Sequence, residues 1–464
     1  MRISVYGTGY LGAVHAAGLA AMGHEVVGMD VDPMRIGPLE RGEAPFFEPG
    51  LPELLSRGVE SGRLRFTTSI DTAVEFGDVH FVCVGTPQLR DGNGADLRYV
   101  EAVVRDIAER LDRSVLVVGK STVPVGTARQ LAGLLHDHAR PGLGARLAWN
   151  PEFLREGFAV EDTLRPDRLV FGVEDSPSEE ILRDLYRPVL QTGVPCYVTD
   201  LETSELVKVA ANSFLAMKIS FINAMAEVCE QVDGDVVTLA DAIGEDARIG
   251  RRFLNAGVGF GGGCLGKDIR AFQARGAELG LADSLAFLAE ADRVNDRRRD
   301  RVVDLASSLL GELAGRRITV LGASFKPDSD DVRDSPALAV ARRLHAAGAQ
   351  VVVHDPESIS NARQAAPELS YEHDVEVAAR GADLVVHLTE WRQYGALDPR
   401  ELGEVVSQRL LIDGRNALDR DAWSAAGWTC HSLGRPSVGP WAGVTSAVPF
   451  PLSAAADSNK EEVA

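Results

Sequence analysis

The sequence predicts an α/β protein of two doubly wound halves, joined by a long central helix and a helical middle domain. Three observations carry that reading. Short apolar runs alternate with helical patterns twice along the chain, over residues 1–199 and again over 313–436. The first run enters a Gly-x-Gly-x-x-Gly turn, the arrangement in which a dinucleotide pyrophosphate lies over a helix N-terminus. Between the halves, residues 200–231 contain no helix breaker and carry Leu206, Val209, Ala210, Phe214 and Met217 at helical spacing. Each half is therefore expected to be Rossmann-like, with 200–312 as the helical middle and 437–464, rich in Pro, Gly, Ser and Ala, as a disordered tail.

The first strand, around Ile3 to Tyr6, leads into Gly7-Thr8-Gly9-Tyr10-Leu11-Gly12 and a helical stretch to Met22. A second strand, Glu25 to Met29, ends on Asp30. A carboxylate there accepts from adenosine ribose hydroxyls and repels a 2′-phosphate, which selects NAD over NADP; Arg35 nearby weakens that selection. Buried-strand runs at 78–85 and 114–119 then end in Thr86-Pro87 and Lys120-Ser121-Thr122. Ligands of parallel sheets lie at the carboxyl ends of strands, so Thr86 and Thr122 are expected to touch the cofactor. The next strand delivers Asn150-Pro151-Glu152-Phe153-Leu154-Arg155-Glu156, and Pro151 forces the chain out of the sheet at that same edge. Glu152 and Glu156 read either as dipole-favoured acids at a helix start or as site groups, one acting on a water or hydroxyl and the other on the nicotinamide ribose. A strand pair at 168–172 and 195–199 closes the first half.

The helix from Asp200 would span about 45 Å and reach from one half to the other. Lys208 and Asn212 share one of its faces. Only six of the 48 cationic residues are lysine, and Lys208, Lys267 and Lys326 stand in motif-like segments, which marks them as site candidates. After the basic tract 248–252, suited to a diphosphate, come Gly257 to Asp268, with six glycines in ten residues and Cys264 among them. Two readings compete for this loop. In one the glycines admit a ligand and Cys264 is an activated nucleophile, its thiolate favoured by a helix dipole and by Lys267. In the other it is a turn ending in a buried structural cysteine. The second half repeats the strand grammar from Arg317 without the glycine fingerprint, and its 324–336 segment offers Lys326 and Arg333 to a shared cleft.

Composition excludes several classes. A net charge of −20 argues against nucleic-acid binding, five scattered cysteines suggest neither disulfide framework nor zinc site, and no uninterrupted apolar run reaches membrane-spanning length. The opening residues go directly into a strand pattern, so the expected compartment is the cytoplasm.

Taken together, Gly7-x-Gly-Tyr-Leu-Gly, Val84-Gly-Thr-Pro, Lys120-Ser-Thr-Val-Pro, Asn150-Pro-Glu-Phe-Leu-Arg-Glu, Lys208-x-x-x-Asn212, Gly259-Phe-Gly-Gly-Gly-Cys264-x-x-Lys-Asp and Phe325-Lys-Pro resemble the UDP-glucose 6-dehydrogenase family, over about residues 1–435. That resemblance implies NAD-dependent four-electron oxidation of a nucleotide sugar through a thiohemiacetal and thioester on Cys264. It implies Lys208 and Asn212 at the oxyanions, and Asp268, Glu152 and Thr122 around the water. Gly7, Gly9, Tyr10, Leu11, Gly12, Asp30, Arg35, Thr86, Thr122, Glu156, Lys267 and Arg333 fall to the cofactor. The sugar nucleotide falls to Glu152, Phe153, Leu154, Arg155, Lys208, Asn212, Arg248, Phe253, Leu254, Asn255, Gly257, Gly261 and Lys326. The stretch Arg248 to Gly257 looks most like the branch acting on UDP-glucose, with GDP-mannose or a UDP-N-acetylhexosamine as alternatives. A dimer at least is implied, with Arg248 reaching the neighbouring subunit's substrate. Gly266 departs from the family, whose loop carries proline or another side chain there, and is expected to loosen the turn. The competing classes are a two-electron β-hydroxyacid dehydrogenase, which needs no cysteine, and a dinucleotide sensor, which needs no nucleophile.

Overall fold

The structure is a computed structural model that describes residues 1–440 and 442. Its first sheet takes β1 (Arg2–Tyr6), β2 (Glu25–Met29), β3 (Leu64–Thr67), β4 (Val79–Val82), β5 (Leu116–Gly119), β6 (Arg146–Trp149), β7 (Leu169–Gly172) and β8 (Cys196–Thr199) in the order β3-β2-β1-β4-β5-β6-β7-β8. All neighbours are parallel except β6 and β7, which meet antiparallel at Trp149 and Gly172. Helices cover both faces, so the strands read as continuous apolar runs, and β4 and β5 are buried at every residue. The strand order reverses between β1 and β4, which opens a crevice at their carboxyl ends.

The second sheet is wholly parallel, with β9 (Arg317–Leu321), β10 (Gln350–His354), β11 (Ser370–Tyr371), β12 (Leu384–His387), β13 (Leu410–Asp413) and β14 (Thr429–Ser432) in the order β11-β10-β9-β12-β13-β14. Its reversal lies between β9 and β12. The strands expected from sequence are present, whereas β3, β11 and β14 were not anticipated: each is short, and β3 carries only a brief alternation of buried and exposed residues. Val438 exchanges backbone hydrogen bonds with Cys430 at 2.8 and 3.1 Å, so ordered chain continues past the expected boundary at 436. The rest of the tail expectation lies outside the described residues.

Between the sheets runs the helix Leu201–Val232, started by Asp200, whose carboxylate accepts from Thr203 N at 2.7 Å. An 18-residue window in it has mean hydropathy 1.3, long and apolar enough to cross a membrane, which corrects the expectation that no segment reaches that length. Its interior positions argue for a core helix, because Ser204, Glu205, Lys208, Asn212 and Asn223 are all buried. Glu205 accepts from Gly126 N (2.7 Å) and Ala128 N (2.6 Å), capping the helix Thr127–His138 of the first half. At the other end Glu230 pairs with Arg298 (3.1 Å) and Arg301 (2.7 Å) of the helix Phe287–Leu310. The long helix is thus pinned to both neighbours by buried charge.

Candidate active site

At the crevice of the first sheet, Gly7 has φ +87°, and a Cβ on Gly12 would stand 1.7 Å from the Gly7 carbonyl oxygen. Both positions therefore demand glycine. Gly9 is different: the nearest atom a Cβ would meet is the Arg35 guanidinium at 3.8 Å, so the backbone there is open to approach. The helix Tyr10–Ala21 has no side-chain cap and no acid in its first turn, leaving its N-terminal dipole for an anion. Asp30 accepts from Thr8 N at 2.8 Å, with Arg35 3.7 Å away. These residues fit a dinucleotide diphosphate and a ribose. Tyr10 and Leu11 play other parts: Leu11 packs on the core, and the Tyr10 hydroxyl donates to Glu48. Glu48, which sequence reasoning missed, also accepts from Gly157 N and Ala159 N, both at 2.7 Å, and so fixes the turn after Glu156.

Five predicted residues meet around Cys264. Lys208 Nζ is 2.9 Å from Glu152 Oε1, with the two side chains 6% and 13% exposed. Asn212 Nδ2 donates to Asp268 Oδ2 at 2.6 Å, and Lys267 pairs with Asp268 Oδ1 at 2.9 Å. Burial opposes the charge of Lys208, yet Glu152, Cys264 and Asp268 outweigh it and hold its pKa above the usual lysine value. Solvent reaches Cys264 down a cleft enclosed by dense protein. Burial, then Asp268 and Glu152, push its thiol up to about 11, with Lys208 opposing. This corrects the expectation of a standing thiolate: Lys267 spends its charge on Asp268, and the acid faces the sulfur. Thr86 Oγ1 donates to the Thr122 carbonyl at 2.7 Å and lies 3.5 Å from Lys267 Nζ. Thr122, Lys267 and Asp268 line one small pocket with Val209 of the long helix.

The glycine loop also needs a correction. Its glycines admit protein rather than ligand: added Cβ atoms would stand 2.4 Å from Asn295 Oδ1 (Gly259), 2.2 Å from the Asp334 carbonyl (Gly261) and 2.8 Å from the Phe325 ring (Gly262). Asn295 both accepts from Phe260 N (2.7 Å) and donates to Phe260 O (3.0 Å), while Arg415 donates to Gly259 O at 2.8 Å. Neither residue was singled out from sequence. Arg415 follows β13 in Asp413-Gly414-Arg415, and its place at a strand's carboxyl end was the available signal. Gly257 N donates to Asn223 of the long helix at 2.8 Å. Gly266 does not loosen the turn, because the helix Leu265–Glu278 has already begun there.

The second half approaches through the 322–335 segment. Arg333 lies 3.2 Å from Glu156 and chelates Asp331, Ser329 donates to Glu156 at 3.3 Å, and Lys326 Nζ donates to the Glu156 carbonyl. Burial and Asp331 push Glu156 up to about 7 against Arg333 and Lys326, and burial lowers Lys326. Phe153 stacks between Arg168 (3.8 Å) and Lys208 (5.7 Å). Other expected contacts face elsewhere. Arg155 is turned out onto Asp162 at 2.6 Å, Leu154 packs on the first core, and Leu254 is buried beside Ile222 and Val236. Asn255 accepts from Arg251 at 2.7 Å, Phe253 adopts φ +66°, and Arg248 is 88% exposed on Asp246.

The chain matches three family models in order: the NAD binding domain (1–190), central domain (202–297) and UDP binding domain (319–420) of the UDP-glucose/GDP-mannose dehydrogenase family. It is 43% identical over 441 residues to a UDP-glucose 6-dehydrogenase of Rhizobium meliloti (strain 1021), covering 94% of this chain and 100% of that protein. Against UDP-glucose 6-dehydrogenase YwqF of Bacillus subtilis (strain 168) the identity is 39% over 442 residues, covering 95% and 99%. Among solved structures, a UDP-glucose dehydrogenase from Pyrobaculum islandicum superposes with TM-score 0.87 at 40% identity, covering 94% of this chain and 98% of that one.

Proposed function

The chain belongs to the UDP-glucose/GDP-mannose dehydrogenase family, and from that premise we propose that it oxidises UDP-glucose to UDP-glucuronate with two NAD and one water. The observation that carries the reading is the cleft where Cys264, Lys208, Asn212, Asp268 and Glu152 converge between the two sheets. UDP-glucose is preferred over GDP-mannose or a UDP-N-acetylhexosamine because the full-length relatives at about 40% identity are named for it.

Gly7, Gly9 and Gly12 with the open helix end would hold the diphosphate of NAD, and Asp30 its ribose. When bound, NAD supplies the hydride acceptor for both oxidations. Lys208 would take the charge that develops on the sugar C6 oxygen, and its raised pKa keeps it an ammonium for that task. Cys264 would add to the aldehyde: as the C–S bond forms and the carbonyl π bond opens, the thiol proton, held at about 11, passes by way of the Glu152 or Asp268 carboxylate to the hemiacetal oxygen. After the second oxidation the thioester is cleaved by water, whose proton passes to the Glu152 or Asp268 carboxylate, and the thiol is released. Asn212 fixes Asp268 through its 2.6 Å bond. Lys326 would hold the uridine diphosphate, and the loop from Phe253 through Gly257 to Gly261, its glycines packed against protein, would shape the wall of that site rather than admit the ligand itself, with Glu156 and Arg333 on the cofactor side.

We take 1–199, 200–312 and 313–436 as the three units, and the cytoplasm as the compartment, in keeping with five free cysteines. A dimer is supported by Phe214, Phe221 and Val228, each more than half exposed at seven-residue intervals on the long helix, with the exposed Arg248 reaching across the interface once it leaves Asp246. Sedimentation of a fully active monomer would refute it.

The decisive assay is stoichiometry. Each UDP-glucose should yield two NADH with no free aldehyde, and Cys264→Ser should lose on the order of a thousandfold in turnover, about 4 kcal/mol, while still binding NAD. One NADH per substrate would restore the two-electron reading, and full turnover by Cys264→Ser would remove the thioester.

A further inference from the structure

Glu152 borders two spaces. Besides meeting Lys208, it lines a small, partly open cavity together with His15, Lys120, Thr163, Arg168 and Tyr186. Lys120 stands at the carboxyl end of β5 and is buried. Its Nζ donates to Asn150 Oδ1 at 3.0 Å, to the Asn150 carbonyl at 3.5 Å and to the Tyr186 hydroxyl at 3.4 Å. The Tyr186 hydroxyl in turn donates to Asn150 Oδ1 at 2.7 Å, and Asn150 Nδ2 donates to Val170 O of β7 at 3.0 Å. The Asn150 side chain is therefore held from three sides, and the chain leaves it directly into Pro151 and Glu152.

Among the described residues no carboxylate hydrogen-bonds or ion-pairs with Lys120; Glu152 favours its charge only from a distance. Its hydrogen-bond partners are neutral, and the rings of Phe81 and Tyr186 lie 5.9 Å from Nζ. A buried ammonium without a carboxylate partner is expensive, and methionine would fill the same space without that cost. Sites that break such a rule and persist do so for function.

We propose that Lys120 is a positioning residue for the reaction: its ammonium clamps Asn150 and the Pro151–Glu152 turn, and so holds the Glu152 carboxylate against Lys208. This rests on the reading of Glu152 as a group of the reacting centre. The ionisable neighbours of Lys120 are His15 on the first helix, Cys83 after β4, Glu152, Tyr186, Lys208 on the long helix, and Asp162, Asp167 and Arg168 around the cavity. Burial and Lys120 push His15 well below neutrality, and burial pushes the Cys83 thiol up to about 12, so both stay neutral near pH 8. Burial lowers Lys120 itself to about 8. Losing its proton there releases the clamp. Because this value lies below that of the unfolded chain, the ammonium also weakens the fold at pH 7, and the penalty fades as pH rises through the range from about 8 to 10.5.

The test is Lys120→Met and Lys120→Arg beside Glu152→Gln, in the full-length enzyme with UDP-glucose and NAD, following rate against pH and thermal midpoint. Lys120→Met should lose between about tenfold and a hundredfold in kcat at neutral pH, with KM for NAD nearly unchanged and a thermal midpoint equal to or above the parent's. Lys120→Arg, charged throughout, should recover rate and move the alkaline fall upward. A Lys120→Met enzyme with the parent's rate and alkaline limb overturns the inference. So does one whose rate and midpoint fall together, which is what a purely structural lysine gives; this comparison decides even if the arginine variant does not fold. If Glu152→Gln keeps the parent's rate, the reading of Glu152 fails on its own evidence, separately from Lys120.

Discussion

The two sheets begin alike and end differently. In each, the first strand runs into a glycine with positive φ, Gly7 at +87° and Gly322 at +114°, and the second strand ends on an aspartate. Asp30 accepts from Thr8 N, and Asp355 from Ala323 N and Ser324 N. In the first half the helix starts at Tyr10, directly after the turn, with its end uncapped. In the second, residues 322–335 intervene before a helix that Ser335 caps, and Trp391 Nε1 donates to Asp355 at 3.1 Å, occupying the acceptor that the corresponding Asp30 is proposed to offer a ribose. One grammar thus yields a cofactor turn where the connection is short. Where it is long, the aspartate becomes structural and the loop carries Lys326 and Arg333 across to Glu156.

The sharpest way to break this comparison is to exchange the roles of the two aspartates by mutation. Asp355→Ala strips an acceptor from Ala323 N, Ser324 N, Glu357 N, Ser358 N and Trp391 Nε1 at once, all but the Glu357 bond fully buried. The expected loss is about 4 kcal/mol of stability, read by urea unfolding, with NAD affinity unchanged for the folded fraction. An Asp355→Ala protein that loses NAD binding instead would mean that Asp355 itself serves the cofactor site.

A smaller effect separates the ligands. Lys326→Met should raise KM for UDP-glucose roughly a hundredfold, about 3 kcal/mol, and leave NAD binding near the parent's. Asp30→Ala should do the reverse, narrowing the preference for NAD over NADP by about tenfold or more. Titrations in which either variant weakens both ligands equally would erase the division of labour between the halves.

Much of this was legible because strands buried on both faces announce themselves as apolar runs, and because Gly7, Gly12 and Asp30 are required by local geometry. The grouping of Lys208, Asn212, Glu152, Cys264 and Asp268, proposed above as catalytic, was legible through rare residue types in motif-like segments. What stayed hidden depends on long-range packing. Asn295, Arg415 and Glu48 act only where distant segments meet; Arg415 has its place at a strand's carboxyl end as a local signal, and no local pattern distinguishes Asn295 or Glu48 from surface residues. The glycine loop misled for the same reason: sequence shows that something must come close, and only the fold shows that Asn295, Asp334 and Phe325 do. The expected thiolate fails because burial, which sequence does not show, raises the thiol, and because Asp268, one turn along, faces the sulfur and takes up the charge of Lys267.

The smallest predicted effect lies where the halves touch. Burial, then Asp331, raises Glu156 from 4.5 in the unfolded chain to about 7, although Arg333 and Lys326 pull the other way. A carboxyl with a raised folded pKa gives the fold its full contribution below about pH 4.5, and that contribution drains away as pH rises to about 7, because the unfolded chain ionises first. The side chain is only 12% exposed, yet solvent enters the cleft, so a difference of about 1 to 2 kcal/mol is expected rather than the full value of the shift. Glu156→Gln keeps a neutral amide at every pH. Its unfolding free energy should match the parent's near pH 4 and exceed it near pH 8. If the parent instead gains stability relative to Glu156→Gln as pH rises, Arg333 governs Glu156, and the contact between the halves is an ion pair already complete before any ligand arrives.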